Sequence, residues 1–299
     1  MTDQKLTVRK SNTLVDSRHQ LSTHQQRAFM LFVSKIKPRD KPDKTYSLKW
    51  SDLHEISHGK IDTRAKITKL FESMRAKKIN LSTEGVDRAA SYFSFYENDH
   101  KAQVVRVRVD QSIQQELFDL IGQFTLYSLE CALNLDSPYY IRLYEILKAR
   151  AYKAQHGPVD IELDNLKWSL GCDDVKTYNQ WANFKRYVLD KAMVALGKHT
   201  DLKFKYKTVK AGRKVTGIKF TIEENKTWQS TIMSLEKKNK PGPRSKPKLF
   251  ASEGDTVLMG DNEYKVGPSG IEHEGKTFAI GQLTTALKAS KISIVKEAD

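Results

Sequence analysis

The sequence predicts an α+β fold in which two units with the same order of elements are followed by a small C-terminal module of mainly short strands. First, a helix, a short strand, a brief helix, a longer helix and a hairpin can be traced twice along the chain. Second, residues 236–248, "EKKNKPGPRSKPK", have the composition of a flexible linker. Third, 299 residues, of which 39% are hydrophobic, are enough for two packed cores.

The first unit opens with a helix in "STHQQRAFMLFVSKI", where Ser22 and Gln25 have the spacing of a capping box. "YSLKWSDLHEI" predicts a short strand and a brief helix. "ASYFSFYEN" and "AQVVRVRVD" alternate with a period of two and predict a hairpin across residues 99–100. Between them, "DTRAKITKLFESMRAKK" predicts a longer helix from apolar residues at i, i+3, i+4 and i+7, namely Ile67, Leu70, Phe71 and Met74.

The second unit repeats this order. "SPYYIRLYEILKARAY" predicts a helix with Pro138 at its first position, and "VDIELDNLKWSLG" predicts the strand and brief helix. Thr177 and Gln180 predict a capping box for a helix that runs to about Lys198. "DLKFKYKTVKAGRKVTGIKF" predicts the closing hairpin, and "QSIQQELFDLIGQ" a helix that connects the two units.

The C-terminal module contains predicted short strands in "DTVLMGDNEYKV" and "KTFAI" and one predicted helix near residues 283–289. The repeated order of elements in the two units is that of a winged helix-turn-helix. We therefore expect four segments: a first winged-helix domain for dimerisation and DNA backbone contact, a second for sequence-specific DNA binding, a flexible basic linker and an accessory module. Their predicted ranges are 1–122, 123–230, 231–250 and 251–299.

The charge of the chain favours a polyanionic partner. The net charge is +15, yet residues 251–299 hold eight acidic and five basic residues, so residues 1–250 carry +18. Nucleic acid is the expected partner, because each neutralised phosphate releases a condensed counterion. The alternative is a generally basic, solvated surface.

The sequence also predicts where the protein works. Two cysteines are too few for a disulfide framework and lack the paired spacing of a zinc ribbon, which favours a reducing compartment. The start "MTDQKLTVRK" lacks the apolar segment of a signal peptide, and no run of about 18 apolar residues occurs. We expect a cytoplasmic protein that does not insert into a membrane.

The last hairpin has the pattern of a DNA-binding wing. Side chains alternate along a strand, so Leu202, Phe204 and Tyr206 share one face and the lysines between them the other, about 6 to 7 Å apart. That spacing is comparable to successive phosphates on one DNA strand. The alternative is an edge strand whose lysines only prevent aggregation. The candidate phosphate contacts are Lys203, Lys205, Lys207, Lys210, Arg213 and Lys214.

The helix before this hairpin carries a polar stripe of Asn179, Asn183, Arg186 and Asp190 at i, i+4, i+7 and i+11. Asn can pair with adenine and Arg with guanine, so the stripe predicts base reading in a major groove. Asp190 weakens this interpretation and is expected to pair with a lysine of the protein. The alternative is an ordinary solvated face. The candidate phosphate contacts beside the stripe are Lys176 and Lys185.

The longer helix of the first unit has an equivalent stripe without Asn, so we expect contacts mainly to phosphates and little base selection. The alternative is again a solvated surface. The stripe consists of Asp62, Lys66, Lys69 and Ser73. The basic residues around it are Arg64, Arg75, Lys77 and Lys78.

Two short motifs point weakly to enzymes. "HEISH", His54 to His58, matches a zinc-protease pattern, but its predicted helix is brief and offers no third ligand. "GIEHEGKT", residues 270–277, matches a phosphate-binding loop, but too few residues follow it for the sheet that such ATPases need. The paired histidines of a DNA-nicking enzyme are missing. We therefore predict no catalytic residue, no metal and no cofactor.

Three stretches resemble the replication initiators of iteron-containing, theta-replicating bacterial plasmids: "KSNTLVDSRHQLSTHQQR", "LDSPYYIRLYEILKARAY" and "NFKRYVLDKAMVALGKHTDLKFKYKTVKAGRKVTGIKFTI". The resemblance implies tandem winged helices, a monomer that binds direct repeats and a dimer, joined through the first unit, that represses its own gene. It implies DNA contacts by Asn183, Phe184, Lys185, Arg186 and the wing lysines. It also implies recruitment of the host initiator and helicase, and chaperones that convert dimers to monomers.

The leading hypothesis is a DNA-binding initiator without enzymatic activity that opens an origin by binding and bending repeated sequences. The alternative is a dimeric winged-helix transcriptional repressor without initiator activity. The C-terminal module lies outside the resemblance, and its task stays open.

Overall fold

The computed structural model describes residues 6–228 apart from 38–39, 82–84, 119 and 121–123, without the side chains of 152–153, and the backbone of separate strands between 256 and 295. The chain divides into an N-terminal compact unit, Met1–Glu236, which contains both winged helices, and a C-terminal compact unit, Lys237–Asp299. The predicted linker at 231–250 and the predicted helix at 283–289 lie outside the described residues. The four predicted domain ranges stay a prediction.

The helices are α1 (Asn12–Asp16), α2 (Thr23–Val33), α3 (Trp50–Ile56), α4 (Arg64–Arg75), α5 (Leu129–Leu133), α6 (Pro138–Ala154), α7 (Leu163–Leu170), α8 (Trp181–Phe184) and α9 (Asp190–His199). Two 3₁₀ helices span Gln111–Glu116 and Lys176–Asn179, and a π-helical turn, Lys185–Leu189, joins α8 to α9. The strands of the N-terminal compact unit are β1 (Thr7–Ser11), β2 (Thr45–Lys49), β3 (Ile79–Asn80), β4 (Ala89–Ala90), β5 (Phe93–Asp99), β6 (Val104–Val109), β7 (Phe124–Ser128), β8 (Val159–Glu162), β9 (Leu202–Ala211) and β10 (Lys214–Glu224). The described strands of the C-terminal compact unit are β11 (Thr256–Met259), β12 (Asn262–Gly267), β13 (Gly270–His273), β14 (Lys276–Phe278) and β15 (Ile292–Val295).

The first winged helix consists of α2, α3, α4 and the sheet β2-β6-β5. The predicted capping box of α2 is confirmed, because the Ser22 and Gln25 side chains each accept a hydrogen bond from the other residue's backbone N–H. The four predicted apolar residues of α4 are buried, which confirms that this helix packs one face on the core. The core is completed by α2 and the inward-facing residues of β6.

The second winged helix consists of α6, α7, the helix from Trp181 to His199 and the sheet β8-β10-β9. All strand pairs in both sheets are antiparallel. The predicted hairpin is confirmed: β9 and β10 pair from Lys214 with Ala211 at the tip to Glu224 with Leu202 at the base. Gly212 makes the turn at φ +62°, a left-handed conformation that glycine adopts without steric cost.

Some elements differ from the sequence prediction. The connecting helix predicted in residues 111–123 was wrong, since only Gln111–Glu116 is helical among the described residues there, and as a 3₁₀ turn. Asp110 explains the tight turn, because its side chain accepts a hydrogen bond from the Ser112 backbone N–H two residues on. The strands β1 and β7, which pair with each other, and the helices α1 and α5 were not predicted.

A buried ionic network lies where the N-terminal strand meets α6. Lys10 Nζ and Arg142 Nη1 each lie 2.6 Å from a different carboxylate oxygen of Glu145, and all three side chains are buried. The Tyr127 hydroxyl also donates to Glu145. Arg142 donates to the backbone carbonyl of Ser17, so the network ties the segment from Lys10 to Ser17 to the centre of α6.

Charge partners keep Glu145 ionised inside the protein. Burial alone would raise the pKa of the Glu145 carboxyl, but Lys10 and Arg142 lower it to about 2. His19, which is also buried close to this network, has its pKa lowered well below the usual value by burial and by the same two cations. The network therefore holds two cations, one anion and a neutral imidazole.

The described strands of the C-terminal compact unit form one antiparallel sheet in the order β14-β13-β12-β11-β15. The short strands that the sequence predicted in this module are therefore present.

In the N-terminal compact unit, Cys131 and Cys172 are buried free thiols, and burial raises the pKa of both to about 12. None of the helices described above has the length and apolar content that crossing a lipid bilayer requires.

We predict that Glu145→Gln lowers the free energy of unfolding by about 3 to 5 kcal/mol, because it leaves two buried cations without their anion. Asp160→Asn is the matched control, since Asp160 forms an exposed 3.5 Å pair with Lys219 and its loss is expected to cost less than about 1 kcal/mol. Urea unfolding measures both. Equal losses of unfolding free energy in the two variants would contradict the buried, charge-paired state of Glu145.

The lowered pKa also sets a pH range. The stabilisation from ionised Glu145 is complete above its ordinary pKa of 4.5 and is lost as the pH falls from there towards 2. Unfolding curves of the wild type should therefore shift over this range, and those of Glu145→Gln should shift less.

Candidate nucleic-acid interface

The recognition helix of the second winged helix begins later than predicted. Lys176–Asn179 is a separate 3₁₀ turn, and the N-cap Gln180 has an extended backbone with φ −78° and ψ 117°. The predicted capping box of Thr177 and Gln180 was therefore wrong. The Asn183 side chain supports this start instead, since its amide donates to the Thr177 carbonyl at 3.2 Å and to Gln180 Oε1 at 3.0 Å.

A π-helical turn divides the recognition helix. The Asp190 backbone N–H bonds to the Lys185 carbonyl five residues earlier, so one extra residue is accommodated in this turn. Side chains after the turn therefore point about 100° around the helix axis from the direction they would have in an uninterrupted α-helix. The predicted i, i+4, i+7, i+11 stripe was therefore wrong as a continuous row, although Asn179 and Arg186 are both exposed.

Asp190 does not belong to the polar stripe because it faces the protein. Its carboxylate lies 2.8 Å from Lys185 Nζ and accepts a hydrogen bond from the Tyr206 hydroxyl at 2.5 Å. Partial burial opposes ionisation of Asp190, but these two hydrogen bonds lower its pKa. The expected pairing of Asp190 with a lysine is confirmed. The hydrogen bond from Tyr206 holds the recognition helix against β9.

The resemblance placed Phe184 among DNA contacts, and the structure corrects this. Phe184 is fully buried in the core. Tyr187, which is not among the predicted site residues, is 40% exposed. Arg186 and Lys191 lie over its ring, 5.4 and 5.5 Å from the centroid. The signal for it was an aromatic residue beside a cation in "NFKRYVLDK".

The wing presents its cations to solvent. The predicted alternation is confirmed, since Leu202 and Phe204 are buried and the predicted basic residues of both strands and the tip are exposed. Lys207 pairs directly with Lys219 across the hairpin. Like charges at such a position destabilise a sheet unless an anion offsets them, and Asp160 lies 3.5 Å from Lys219 Nζ. Lys203 is partly neutralised by Glu223 at 3.5 Å, whereas no acidic residue in the described part of the chain forms an ion pair with the basic residues of the tip.

The first winged helix exposes a weaker basic face. Arg64, Lys69 and Arg75 are exposed on α4. Asp62 precedes the N-cap Thr63, and it lies 2.7 Å from Lys66 Nζ, so the predicted stripe does not start on the helix.

The other end of α4 also differs from the prediction. Ser73 is half-buried and accepts a hydrogen bond from Gln25 Nε2 at 2.7 Å. Lys77 donates to the Gln20 carbonyl and to Gln25 Oε1, and burial lowers its pKa. Lys78 is exposed and donates to Ser91 Oγ. Two strong hydrogen bonds thus hold the Lys77 ammonium against the protein.

Residues 17–20 connect the two winged helices close to both recognition elements. Arg18 binds Asp173 at 2.7 Å and Asp174 at 3.0 Å, just before Lys176. Gln20 donates to Asp174 and accepts from Lys77, which follows α4. Gln20 therefore bridges the segment after α4 and the segment before the second recognition helix, because it forms hydrogen bonds with both Lys77 and Asp174.

Close packing reinforces this junction. Gly171 ends α7 at φ +70°, and a Cβ there would lie 2.0 Å from the His19 carbonyl oxygen. Only glycine fits this contact. The two basic faces are therefore held in a fixed relation by backbone packing as well as by ion pairs.

The enzyme-like motifs have other structures. α3 ends at Ile56, and His58 lies beyond it at φ +53°, so the two histidines of "HEISH" do not share a helix. The "GIEHEGKT" segment forms an antiparallel hairpin of β13 and β14 in place of a strand, loop and helix. In the described part of the chain, no group of histidine, cysteine and acidic residues has the arrangement of a metal site.

These features define the class of the protein: a tandem winged-helix DNA-binding protein. Residues 7–148 match the family described as "Initiator Replication protein, WH1", and residues 162–222 match "Initiator Rep protein, WH2". Together these matches span more than half of the chain. The chain belongs to this family of replication initiators, and the resemblance found in its sequence is confirmed.

The fold is also similar to that of a solved initiator. The Pi initiator protein, whose crystal structure contains iteron DNA, superposes with a TM-score of 0.60 at 19% sequence identity. The similarity covers 73% of this chain and 97% of that one. At this identity the likeness establishes the fold alone. No curated protein matches the sequence.

We predict that Asp190→Asn strengthens binding to random-sequence duplex and steepens the salt dependence by about one counterion, because Lys185 is released to reach a phosphate. Fluorescence anisotropy at several salt concentrations measures the slope. Asp164→Asn, which removes the same charge from an exposed position on α7, is the control. Identical slopes for the two variants would rule out a role for Lys185.

Proposed function

We propose that this protein initiates plasmid replication by binding direct repeats, or iterons, at the origin as double-stranded DNA. Membership of the initiator family supports the proposal, as does the similar fold of an initiator that binds iteron DNA. The observation that carries it is the exposed cationic wing beside a recognition helix that exposes Arg186.

The second winged helix selects the sequence. Arg186 is exposed on the π turn and can donate two hydrogen bonds to guanine O6 and N7 in the major groove. Asn179 is the candidate contact to adenine. Asn183 uses both its observed donor contacts within the protein, so it positions the start of the helix and does not read a base.

The wing and the first winged helix supply phosphate contacts. The wing lysines, Lys176 and the exposed bases of α4 neutralise phosphates without selecting a sequence. The junction at residues 17–20 supports engagement of one duplex by both winged helices, since it limits how far they can turn apart. A duplex held by both is bent, and the stored deformation energy favours strand opening nearby.

The remaining assignments follow from this role. We assign dimerisation and backbone contact to residues 1–122, sequence selection to 123–230, a flexible link to 231–250 and an accessory role to 251–299. A dimer in equilibrium with the monomer represses the protein's own gene, and the monomer recruits the host initiator and helicase, with chaperones converting dimer to monomer. The protein needs no cofactor, catalyses no reaction and acts in the cytoplasm with the plasmid.

Footprinting on the DNA that flanks this gene tests the proposal. Several protected direct repeats beside an A·T-rich tract are the expected result. Protection of a single inverted repeat and nothing else would overturn it and identify a transcriptional repressor.

We predict that Arg186→Ala costs about 1 to 3 kcal/mol on the cognate repeat and relaxes the preference at one base pair, since one bidentate contact is lost. Lys205→Ala, on the exposed face of β9, should weaken cognate and random DNA alike and lower the salt slope by about one. Competition binding with single-base variants of the repeat measures both. Equal losses on cognate and random DNA for Arg186→Ala would refute its reading role.

A further inference from the structure

A cluster of cationic groups surrounds the turn between α3 and α4, where the "HEISH" motif ends. His24 lies in the first turn of α2, and His58 and Lys60 lie in the turn itself. Arg27 fixes the two elements together, because its guanidinium donates to the carbonyls of Ile56 at 3.1 Å and Leu135 at 2.9 Å. The four side chains are thus contributed by two elements that Arg27 clamps.

The charges in this cluster are unbalanced. His24 interacts electrostatically with Arg27, Lys60 and His58, and His58 interacts with Arg27 and Lys60. Asp136 is the acid that acts on Arg27. Burial first and these cations second lower the pKa of His24 and His58, so both imidazoles are neutral at pH 7.

Five buried side-chain N or O atoms lack a hydrogen-bond partner within the described structure, and two of them belong to this cluster. These are Nδ1 of His24 and Nε of Arg27. Arg27 is 2% exposed, so its guanidinium is desolvated with one N–H unsatisfied. A buried polar group without a partner costs free energy, which an anion entering the cluster would recover.

The turn contains two consecutive residues with left-handed backbone. His58 lies at φ +53° and is followed by Gly59 at φ +78°. Asparagine, aspartate and histidine are the non-glycine residues that are enriched in this region, so the backbone accepts either histidine or asparagine at position 58.

The position of the cluster fits a DNA backbone. In helix-turn-helix proteins the first helix of the motif crosses the phosphates while the second enters the groove. α3 and α4 are these two helices, and His58 and Lys60, both exposed, lie between them. A phosphate there would meet the exposed pair first and the half-buried His24 next.

We propose that His24, His58, Lys60 and Arg27 form a binding site for a backbone phosphate of DNA, and that this phosphate is bound tightly only when the two imidazoles take up protons. The inference rests on the proposed function, since DNA supplies the phosphate. A bound phosphate stabilises the imidazolium forms, so affinity rises as the pH falls from above the bound-state pKa towards the free-state pKa. Above both values the imidazoles contribute no charge.

The test is DNA affinity against pH, measured by anisotropy with the full chain at constant ionic strength between pH 5.5 and 8. The wild type should bind about tenfold more tightly per pH unit for each imidazole that takes up a proton within this window. The double variant His24→Gln, His58→Asn should bind as the wild type does at pH 8 and lose the gain at pH 6. His156→Gln, an exposed histidine after α6, should keep the full pH dependence.

The outcomes separate the two proposals. A wild type that binds the repeats with no pH dependence, or a double variant that keeps it, overturns this site and leaves the initiator role intact. A wild type that binds no repeat at any pH overturns the proposed function itself. His58→Asn alone should not lower the melting temperature, because asparagine tolerates the left-handed backbone, so a loss of pH dependence with unchanged melting excludes misfolding.

Histidine NMR identifies the source of the phosphate. Titration of the free protein with inorganic phosphate, and separately with duplex DNA, follows the ring resonances of His24 and His58. A response to duplex assigns the site to the DNA backbone, as expected. A response to inorganic phosphate alone would overturn the backbone assignment, and a response to neither would overturn the site.

Discussion

An ionised carboxylate inside the protein connects the N-terminal strand to the helix on which the second winged helix is built. Glu145 lies on α6, which packs against β7, α1, α9 and β10. Its two cationic partners come from α6 itself and from β1. Breaking such a network leaves unpaired charge in a low-dielectric interior, so moving β1 away from α6 is costly. The position of the N-terminal strand relative to the second winged helix depends on this constraint.

Acidic partners also distinguish several cations that hold the protein together from the cations that we propose as DNA contacts. Lys10, Arg142, Arg18 and Lys185 have acidic partners at close range, and these cations hold elements together. In the hairpin register the wing lysines lie opposite uncharged residues or another lysine, apart from Lys203, which lies opposite Glu223. A close acidic partner therefore identifies some of the basic residues that are used internally, whereas Lys77 and Arg27 are held by carbonyl and amide oxygens instead. The net charge of the chain alone does not distinguish them.

Local patterns predicted the local structure well. The period of α4, the capping box of α2 and the alternation of β9 are set by neighbours a few residues away, and each was found in place. β1 and β7 were missed because their pairing joins residues more than 110 positions apart, and neither has a clear pattern by itself. The π turn changed the stripe because "NFKRYVLD" carries no local signal for an inserted residue. Arg142 and Glu145 were missed because buried charges resemble the solvated face of an amphipathic helix.

The pairing of β1 with β7 has a consequence for synthesis. Val8 pairs with Tyr127, so β1 leaves the ribosome before β7, which is made on the order of ten seconds later. During this time the apolar and basic side chains of β1 are available to chaperones or to another nascent chain. Rapid translation of the residues between the two strands would shorten the exposure, and pauses there would lengthen it.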